Sequence, residues 1–386
     1  MMSLKKIQCV LLIILFFSSC SEVKQDVESL KTNINSDNLV PYNEILNEYD
    51  KIFEQEYSKF TLPNKDRVNI SIPEGIYTLT VGYKNSKKDV KWAENLFKNL
   101  VNKFYHDKNP IVENKDNIIF SYGNIASIGL FGDIGMVEKD FNISKYMPSD
   151  NFEAEVESYW LNRMSDISKT NNDNMDFSLS EAVDLCDTFF KKDYKNYFSD
   201  FTLKPKDVNL LKYDNGEYAY YMICECIYKG VPLQENYDNF TFSEDVYGTV
   251  SLQTHVLLQN HNVKFVSSPE RFTVIKEQPV DKILSLQGAV NQLEKELANN
   301  YRLNFDGIEL MYEAYDKTPR ISLVNEDSDS EKNLYNLENG KRNFTYTPVW
   351  CFMIDSDIDN FGNKQFYHYR EYITVNAITG EICVHK

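Results

Sequence analysis

The stretch SLQGAVNQLEKELANNY, residues 285–301, decides the fold class that we predict for the C-terminal half of the chain. Ser285 stands where a side chain can cap the first turn of a helix. The apolar residues recur at helical spacing: Leu286, Val290, Leu293 and Leu297. Residues 178–194 repeat the pattern Ser-Leu-x-x-Ala-Val, and there Ser178 and Glu181 have the spacing of a capping box. The sequence therefore predicts two amphipathic helices that begin in the same way.

Strand-like runs, rich in alternating apolar and aromatic residues, follow each predicted helix. They occupy residues 207–214, 217–230, 246–258 and 271–277 after the first helix, and 305–316, 344–354, 367–377 and 382–385 after the second. Asn215 and Gly216 favour a tight hairpin between the first two runs, because both residue types tolerate a positive φ. A single amphipathic helix needs one sheet face to cover its apolar stripe. We therefore predict an α+β fold built from repeated units of one helix packed on an antiparallel sheet.

The last part of the chain joins two short apolar runs through a turn, with Val-Asn-Ala-Ile-Thr-Gly-Glu-Ile at residues 375–382. A helix that begins Ser-Leu-x-x-Ala-Val, followed by strands and by this ending, resembles the PepSY domain. Asn376 stands where that family more often has Asp, and its side chain can make the same turn hydrogen bond. The resemblance covers residues 282–386 and, more weakly, residues 178–277, which lack the Thr-Gly-Glu ending. It implies tandem PepSY-like domains of cystatin-like two-layer architecture, an inhibitory or regulatory role, and no catalytic residues.

The N-terminal segment, residues 1–20, resembles the signal of a bacterial lipoprotein. Two lysines precede an apolar run, residues 7–17, that is too short to cross a bilayer, and Ser-Ser-Cys follows it. In such lipoproteins the cysteine is diacylated and the signal is cleaved just before it. We expect a signal peptide over residues 1–19, a lipid on Cys20 and a flexible polar tether over residues 20–41. An ordinary cleaved signal or an uncleaved anchor is the alternative.

The lipoprotein resemblance implies a location on the extracytoplasmic face of the cell membrane, because two acyl chains hold a protein there stably. The whole chain is also similar to large uncharacterised lipoproteins of Gram-positive bacteria. Residues 42–170 are expected to form an N-terminal α+β domain, since helical and strand-like patterns alternate there. The stretch SKTNNDNMDFS, residues 168–178, has loop composition and marks a boundary. Two PepSY-like domains, residues 178–277 and 282–386, complete the predicted organisation.

The formal net charge of the chain is −17, from 58 acidic residues against 41 lysines and arginines. Such a chain is repelled by nucleic acids and by an anionic membrane surface, so we exclude a nucleic-acid partner. The acidity is typical of a soluble folded body, with a cationic partner as the alternative.

The cysteines outside the signal are few and odd in number: Cys186, Cys224, Cys226, Cys351 and Cys383. This set does not form the regular framework of a disulfide-rich domain. Cys224 and Cys226 lie two positions apart in an apparent strand, so both point to the same face and are expected to be packing residues. A metal site there would need two further ligands, and neither a CxxC motif nor a nearby histidine supplies them.

The sequence carries no motif of the common hydrolases or nucleotide-binding proteins. HExxH, GxSxG and GxxxxGK[ST] are all missing. His255 and His261 flank a predicted hairpin turn and are expected on its polar surface. We therefore predict a protein that is not an enzyme and that needs no cofactor.

One acidic loop has the beginning of a calcium site. Asp355, Asp357 and Asp359 alternate as the first ligands of a calcium loop do. However, position six of that loop is Asn360 instead of Gly, and position twelve is Phe366 where a bidentate Glu belongs. These departures favour an acidic hairpin turn, and Ca²⁺ binding by the three aspartates is the alternative.

Two functions remain compatible with the sequence. The first is a non-enzymatic binding or regulatory lipoprotein that engages a protein partner in the cell envelope through a sheet edge or face. The second is a lipoprotein that binds a small ligand or Ca²⁺, or a hydrolase whose active site carries no recognised motif.

Overall fold

A computed structural model describes the backbone of residues 38–65, 68, 70–83, 87–106, 113–115, 119–122, 126–129, 134–137, 154–161, 167, 173–192, 200–213, 216–234, 254–268, 272–297, 302–315, 343–354 and 372–385. The protein is mostly β, with several antiparallel sheets, one of them a half-barrel. Four α-helices occur in the described part: α1 (Tyr49–Glu54), α2 (Lys87–Tyr105), α3 (Leu179–Lys192) and α4 (Leu286–Glu296).

The described strands fall into three sheets. In chain order they are β1 (Leu39–Pro41), β2 (Phe60–Thr61), β3 (Tyr77–Tyr83), β4 (Glu113–Lys115), β5 (Ile119–Tyr122), β6 (Ala126–Gly129), β7 (Ile134–Val137), β8 (Ala154–Trp160), β9 (Thr202–Lys212), β10 (Tyr218–Tyr228), β11 (Val231–Pro232), β12 (Thr254–Gln259), β13 (Asn262–Ser268), β14 (Phe272–Pro279), β15 (Lys282–Leu284), β16 (Leu303–Tyr315), β17 (Asn343–Ile354), β18 (Tyr372–Asn376) and β19 (Ile382–His385).

The largest sheet has ten strands within the described residues, in the order β4-β5-β6-β7-β13-β12-β10-β9-β8, with β11 paired to β10. The antiparallel pair of β7 and β13 joins the early strands to strands more than a hundred residues later in the chain. The short strand β11 also reaches the next sheet, because Leu233 forms a parallel bridge with Tyr312 of β16.

The second sheet has seven described strands, and β17 is central to it. Along one side, β17 pairs with β16. Along its other side, residues 343–346 pair with β3 and residues 349–353 pair with β18, so β3 and β18 lie end to end. The strands β14 and β19 pair with β3 and β18 respectively and form the outer edge of this sheet in the described part. A two-stranded sheet of β1 and β15 completes the set.

One continuous main core lies between the helices and one face of the two large sheets. It includes the apolar sides of α2, α3 and α4 together with every second residue of the strands, for example Tyr220, Met222, Cys224, Cys226 and Tyr228 of β10. The alternate residues of the strands point away from the helices. We call that opposite side the second face. It carries two smaller buried clusters, one around Tyr221 and Leu257 and one around Met311 and Cys351.

Local signals in the sequence are confirmed where the structure describes them. The Ser178 hydroxyl accepts a hydrogen bond from the Glu181 amide at 3.2 Å, and the Glu181 carboxylate accepts one from the Ser178 amide at 2.7 Å, which is the expected capping box. Ser285 caps α4 by accepting from the Gly288 amide at 3.1 Å. Asn376 Oδ1 accepts from the amides of residues 378 and 379, both at 2.9 Å, as the turn interpretation expects.

The predicted fold class is wrong. We expected an α+β protein made of repeated units of one helix on an antiparallel sheet, whereas the structure is mostly β and its described residues form no such repeat. The physical reason is that the strands that follow each helix find their partners elsewhere: β13 pairs with β7, and both β14 and β17 pair with β3. The two helices with the shared start, α3 and α4, accordingly pack into one common core instead of two separate layers. The predicted domain boundaries are not tested by these pairings and stay a prediction.

Candidate functional site

The site residues predicted from the sequence lie outside the described residues. These are Cys20, the expected lipid attachment site, and Asp355, Asp357 and Asp359, the candidate calcium ligands. Both predictions therefore stay predictions. Among the residues that are described, no three His, Cys, Asp or Glu side chains are grouped so that they could hold a metal ion. In the same part of the chain, no helix has the length and apolar character that crossing a bilayer requires.

A set of polar side chains meets on the second face, where the two large sheets come together. The first of them, Lys206, is the extra residue of a β-bulge in β9. Opposite it on β10, Ile223 pairs with Asp207 and Cys224 pairs with Pro205, so the register shifts by one residue at Lys206. A proline is tolerated in a strand at such a bulge, and bulges re-aim the side chain that they carry.

The Lys206 ammonium lies between two carboxylates from different sheets. Its Nζ is 3.3 Å from Glu225 Oε2 on β10 and 3.3 Å from Glu309 Oε2 on β16. The three side chains are only 13%, 16% and 12% exposed. The strands β10 and β11 lie between β9 and β16, and adjacent strands are about 4.8 Å apart. A contact across this interval requires the surface to curve toward the second face.

Gln234 lies beside Glu225 in this curved region. In the pairing of β10 with β11, Tyr228 opposes Val231 and Ile227 opposes Pro232. The Leu233 amide donates to the Cys226 carbonyl at 2.8 Å, which continues the same register. By this register Gln234 opposes Glu225, and both side chains point to the second face. Its own amide donates to the Tyr312 carbonyl of β16 at 2.7 Å.

The side-chain amide of Gln234 is buried without a hydrogen bond. The residue is 7% exposed, and neither its Oε1 nor its Nε2 has a hydrogen-bond partner. Buried polar groups in native proteins are nearly always hydrogen-bonded, so each exception needs an explanation. We use the name junction site for Lys206, Glu225, Gln234 and Glu309.

Burial dominates the electrostatics of the junction site. It raises the pKa of Glu225 to about 7, while the Lys206 ammonium opposes this rise and the negative charges of Glu309 and Asp207 add to it. Glu225 therefore exchanges its proton near neutral pH. Lys204, which pairs with Glu225 in the strand register, is exposed and adds a second positive charge at the rim of the site.

The apolar cluster around Tyr221 flanks the junction site along β10. The Tyr221 hydroxyl and His255 Nδ1 are 3.0 Å apart, and burial lowers the pKa of His255 to about 4. The expectation that His255 lies on a polar surface is wrong, since this side chain is partly buried against Tyr221. The imidazole is neutral at physiological pH, so the hydrogen bond with the hydroxyl joins two uncharged groups.

The chemistry of the junction site suits the binding of a small polar molecule. The carboxylates accept hydrogen bonds from hydroxyl or ammonium groups, and the Gln234 amide offers one acceptor and two donors. The neighbouring apolar clusters lower the local dielectric constant, which strengthens such hydrogen bonds.

The outer edge of the seven-stranded sheet is a second surface of interest. It carries Ile275 on β14, 50% exposed, and Val384 on β19, 49% exposed. The β14 part is protected against pairing with another strand by a bulge at Ile275, by exposed Lys276 and by the carboxylate of Asp200, which accepts from the Val274 amide at 3.0 Å. The β19 part has no charged residue within Ile382–Val384.

Comparisons with known proteins leave the family of this chain open. No family model matches the sequence, and no curated protein matches it. Among solved structures, the fold is similar to the crystal structure of an uncharacterized protein from Eubacterium rectale ATCC 33656. That protein is 13% identical, the match covers 88% of this chain and 99% of that chain, and the TM-score is 0.49. The resemblance to PepSY domains and to lipoproteins stays a prediction.

Proposed function

We propose that the protein is a lipid-anchored binding protein of the extracytoplasmic membrane face, without catalytic activity of its own, that holds a small polar molecule at the junction site. Its ligand presents hydrogen-bond donors, as the hydroxyls of a sugar or the ammonium of a small amine do. The lipid on Cys20 keeps the folded body next to the membrane.

The observation that carries the small-ligand part is the buried and unbonded amide of Gln234. Leaving such a group unsatisfied costs about 1–3 kcal/mol, so a side chain with no role would tend to be replaced by an apolar one of similar size. A ligand that bonds this amide removes the penalty when it binds. By the strand register Gln234 opposes Glu225, whose carboxylate contacts Lys206, so these groups supply further partners for the same molecule.

The charges around the junction site restrict the kinds of ligand that it can bind. Glu225, Glu309 and Asp207 supply three carboxyl groups against the ammonium groups of Lys204 and Lys206. An anionic ligand would add to the negative charge of an already acidic chain. The site thus favours neutral hydroxyl-bearing or cationic molecules.

Thermal unfolding of the full chain with two kinds of probe tests this function. The probes are a neutral hexose and a small diamine, with NaCl at matched ionic strength as the reference. We expect one probe to raise Tm in a saturable way, because a molecule that binds only the native state stabilises it. The shift disappears in Gln234→Leu and persists in Gln278→Leu, a matched change of an exposed glutamine on β14. No saturable shift with either probe, or an equal shift in both variants, contradicts the proposal.

Labelling with a radioactive fatty acid tests the anchor independently of the ligand. We expect the full chain to take up label when it is expressed in a bacterium, and Cys20→Ser to take up none. Label on Cys20→Ser, or none on the wild-type chain, overturns the anchor part of the proposal.

A protein partner at the β19 part of the outer edge is a second candidate function. The half-exposed Val384 on an uncharged strand supports it, because exposed apolar edges are sites where an extended segment adds a strand. A photo-crosslinking amino acid at position 384 should join one defined envelope protein through an extended segment, whereas the same probe at Ile72, 52% exposed, should not. Equal crosslinking from both positions contradicts this candidate.

A further inference from the structure

Two buried thiols from different elements touch inside the main core. Cys186 lies on α3, Cys224 lies on β10, and their Sγ atoms are 3.8 Å apart. Both residues are fully buried, and Cys226 is buried on the same side of β10. The small and odd number of cysteines had provided no reason to pair these two.

We propose that Cys186 and Cys224 close to a disulfide that fixes α3 to the ten-stranded sheet when the protein meets an oxidising environment. A disulfide bond is about 2.05 Å long, so the two sulfurs have to approach by roughly 1.8 Å, a distance within reach of side-chain rotation. The contact is long-range, since 38 positions separate the two residues. This proposal depends on the proposed function in one respect: export from the cytoplasm would bring the protein to an oxidising environment.

The reaction is an exchange with a disulfide oxidant such as oxidised glutathione. Both cysteine S–H bonds break, one S–S bond forms between the two Sγ atoms, and two electrons and two protons pass to the oxidant, which becomes two thiols. Burial raises the pKa of the Cys224 thiol, and its contact with Cys186 raises it further, so the reactive thiolate is scarce in the closed core. The bond therefore forms during folding or local opening, and once formed it is shielded from reductants.

The positions of the buried cysteines show which two can form the disulfide. Cys226 shares the buried side of β10, but the sulfur that contacts Cys186 is that of Cys224. Cys351 belongs to a separate buried cluster on the second face. A cross-link at Cys186 should therefore join it to Cys224 alone.

Peptide mapping of the purified full chain tests the proposal. The protein is equilibrated in mixtures of reduced and oxidised glutathione, denatured in the presence of an alkylating agent and digested. In oxidising mixtures we expect a peptide that links Cys186 to Cys224, while Cys226 and Cys351 remain alkylated. Alkylation of all four thiols in every mixture, or a link from Cys186 to Cys226, overturns the proposal.

Thermal unfolding gives a second readout that does not depend on the digest. Oxidation should raise Tm in the wild-type chain and in Cys226→Ala, and reduction should reverse the rise. The rise should be lost in Cys224→Ala, and a rise of the same size in that variant contradicts the proposal. Because the oxidant is added to purified protein, failure of the proposed export or of the ligand proposal leaves this result unchanged.

Discussion

Lys206 on β9 and Glu309 on β16 form an ion pair of 3.3 Å between strands that belong to different sheets. The same ammonium contacts Glu225, so the pair is part of a buried network whose members depend on one another. Removing the Lys206 ammonium would leave two buried carboxylates without their positive partner, which is more damaging than the loss of an exposed ion pair. The polar side chains of the junction site meet because the two sheets curve toward each other at this point.

The stability of the protein should fall with rising pH because of Glu225. Its pKa is about 7 in the folded chain against 4.5 in the unfolded chain. The folded state thus holds a proton that the unfolded state has released, and the associated stability is fully present below pH 4.5 and lost as the pH rises through 7. Glu225→Gln mimics the protonated form. At pH 8 its free energy of unfolding should exceed that of the wild type by up to about 3 kcal/mol.

The measurement is the free energy of unfolding from urea titrations between pH 4.5 and 8. Glu296→Gln is the matched control, since Glu296 is exposed at the end of α4. A Glu225→Gln variant that is less stable than the wild type at pH 8 would contradict the electrostatic account of the site.

His255 should produce the opposite pH dependence in acid. Its pKa is about 4 in the folded chain against 6.5 when unfolded, so the unfolded state takes up a proton first. The stability that His255 contributes is present above pH 6.5 and is lost as the pH falls through 4. In the wild-type chain this loss offsets part of the gain from Glu225 over the same range.

His255→Gln should therefore become more stable relative to the wild type on going from pH 7 to pH 4, by up to about 3 kcal/mol. His261, with a side chain 54% exposed in the turn after β12, provides the comparison variant His261→Gln, because its side chain is not buried. If the acid unfolding curves of His255→Gln and His261→Gln coincide, burial of His255 is not the cause of the loss of stability in acid.

Gln234→Leu should stabilise the ligand-free protein, because leucine of similar size removes the penalty of an unsatisfied buried amide. The expected gain is about 1–2 kcal/mol in urea unfolding. The same change removes the binding of the polar ligand, so stability and function move in opposite directions. Gln278→Leu should change neither. A marked loss of stability in Gln234→Leu would mean that the amide is bonded in the native protein.

The acidic segment at residues 355–362 should bind no calcium, because its sequence departs from the calcium-loop pattern at positions six and twelve. Calorimetric titration of the full chain with Ca²⁺ should give no heat of binding. Heat that Asp357→Asn abolishes would instead establish a site at Asp355, Asp357 and Asp359.

The sequence predicted the local structure better than the assembly. The helix starts at Ser178 and Ser285 and the turn at Asn376 follow from contacts within three residues, so their signals lie close together in the chain. The pairs of β7 with β13 and of β3 with β14 join segments far apart, and nothing in either segment specifies its partner. The repeated Ser-Leu-x-x-Ala-Val thus predicted correctly how two helices begin, but it did not indicate a repeated unit of one helix on a sheet.

The junction site was missed for a related reason. The predicted hairpin brings the strands of Lys206 and Glu225 together. The sequence did not place Gln234, which follows β11, or Glu309 of β16 beside them, and these two residues have no unusual neighbours. Two signals were present. Glu225 is the one charged residue in the apolar run YAYYMICECIY, and Pro205 directly before Lys206 marks a bulge in a strand.

The most direct test of the account is to identify what the protein carries when it is purified. The full chain is extracted in detergent, desalted and denatured, and the released small molecules are measured by mass spectrometry alongside Gln234→Leu and Gln278→Leu. The account predicts one hydroxyl- or amine-bearing compound, released from the wild type and from Gln278→Leu and missing from Gln234→Leu. Release of no such compound from the wild type, or equal release from both variants, would contradict it.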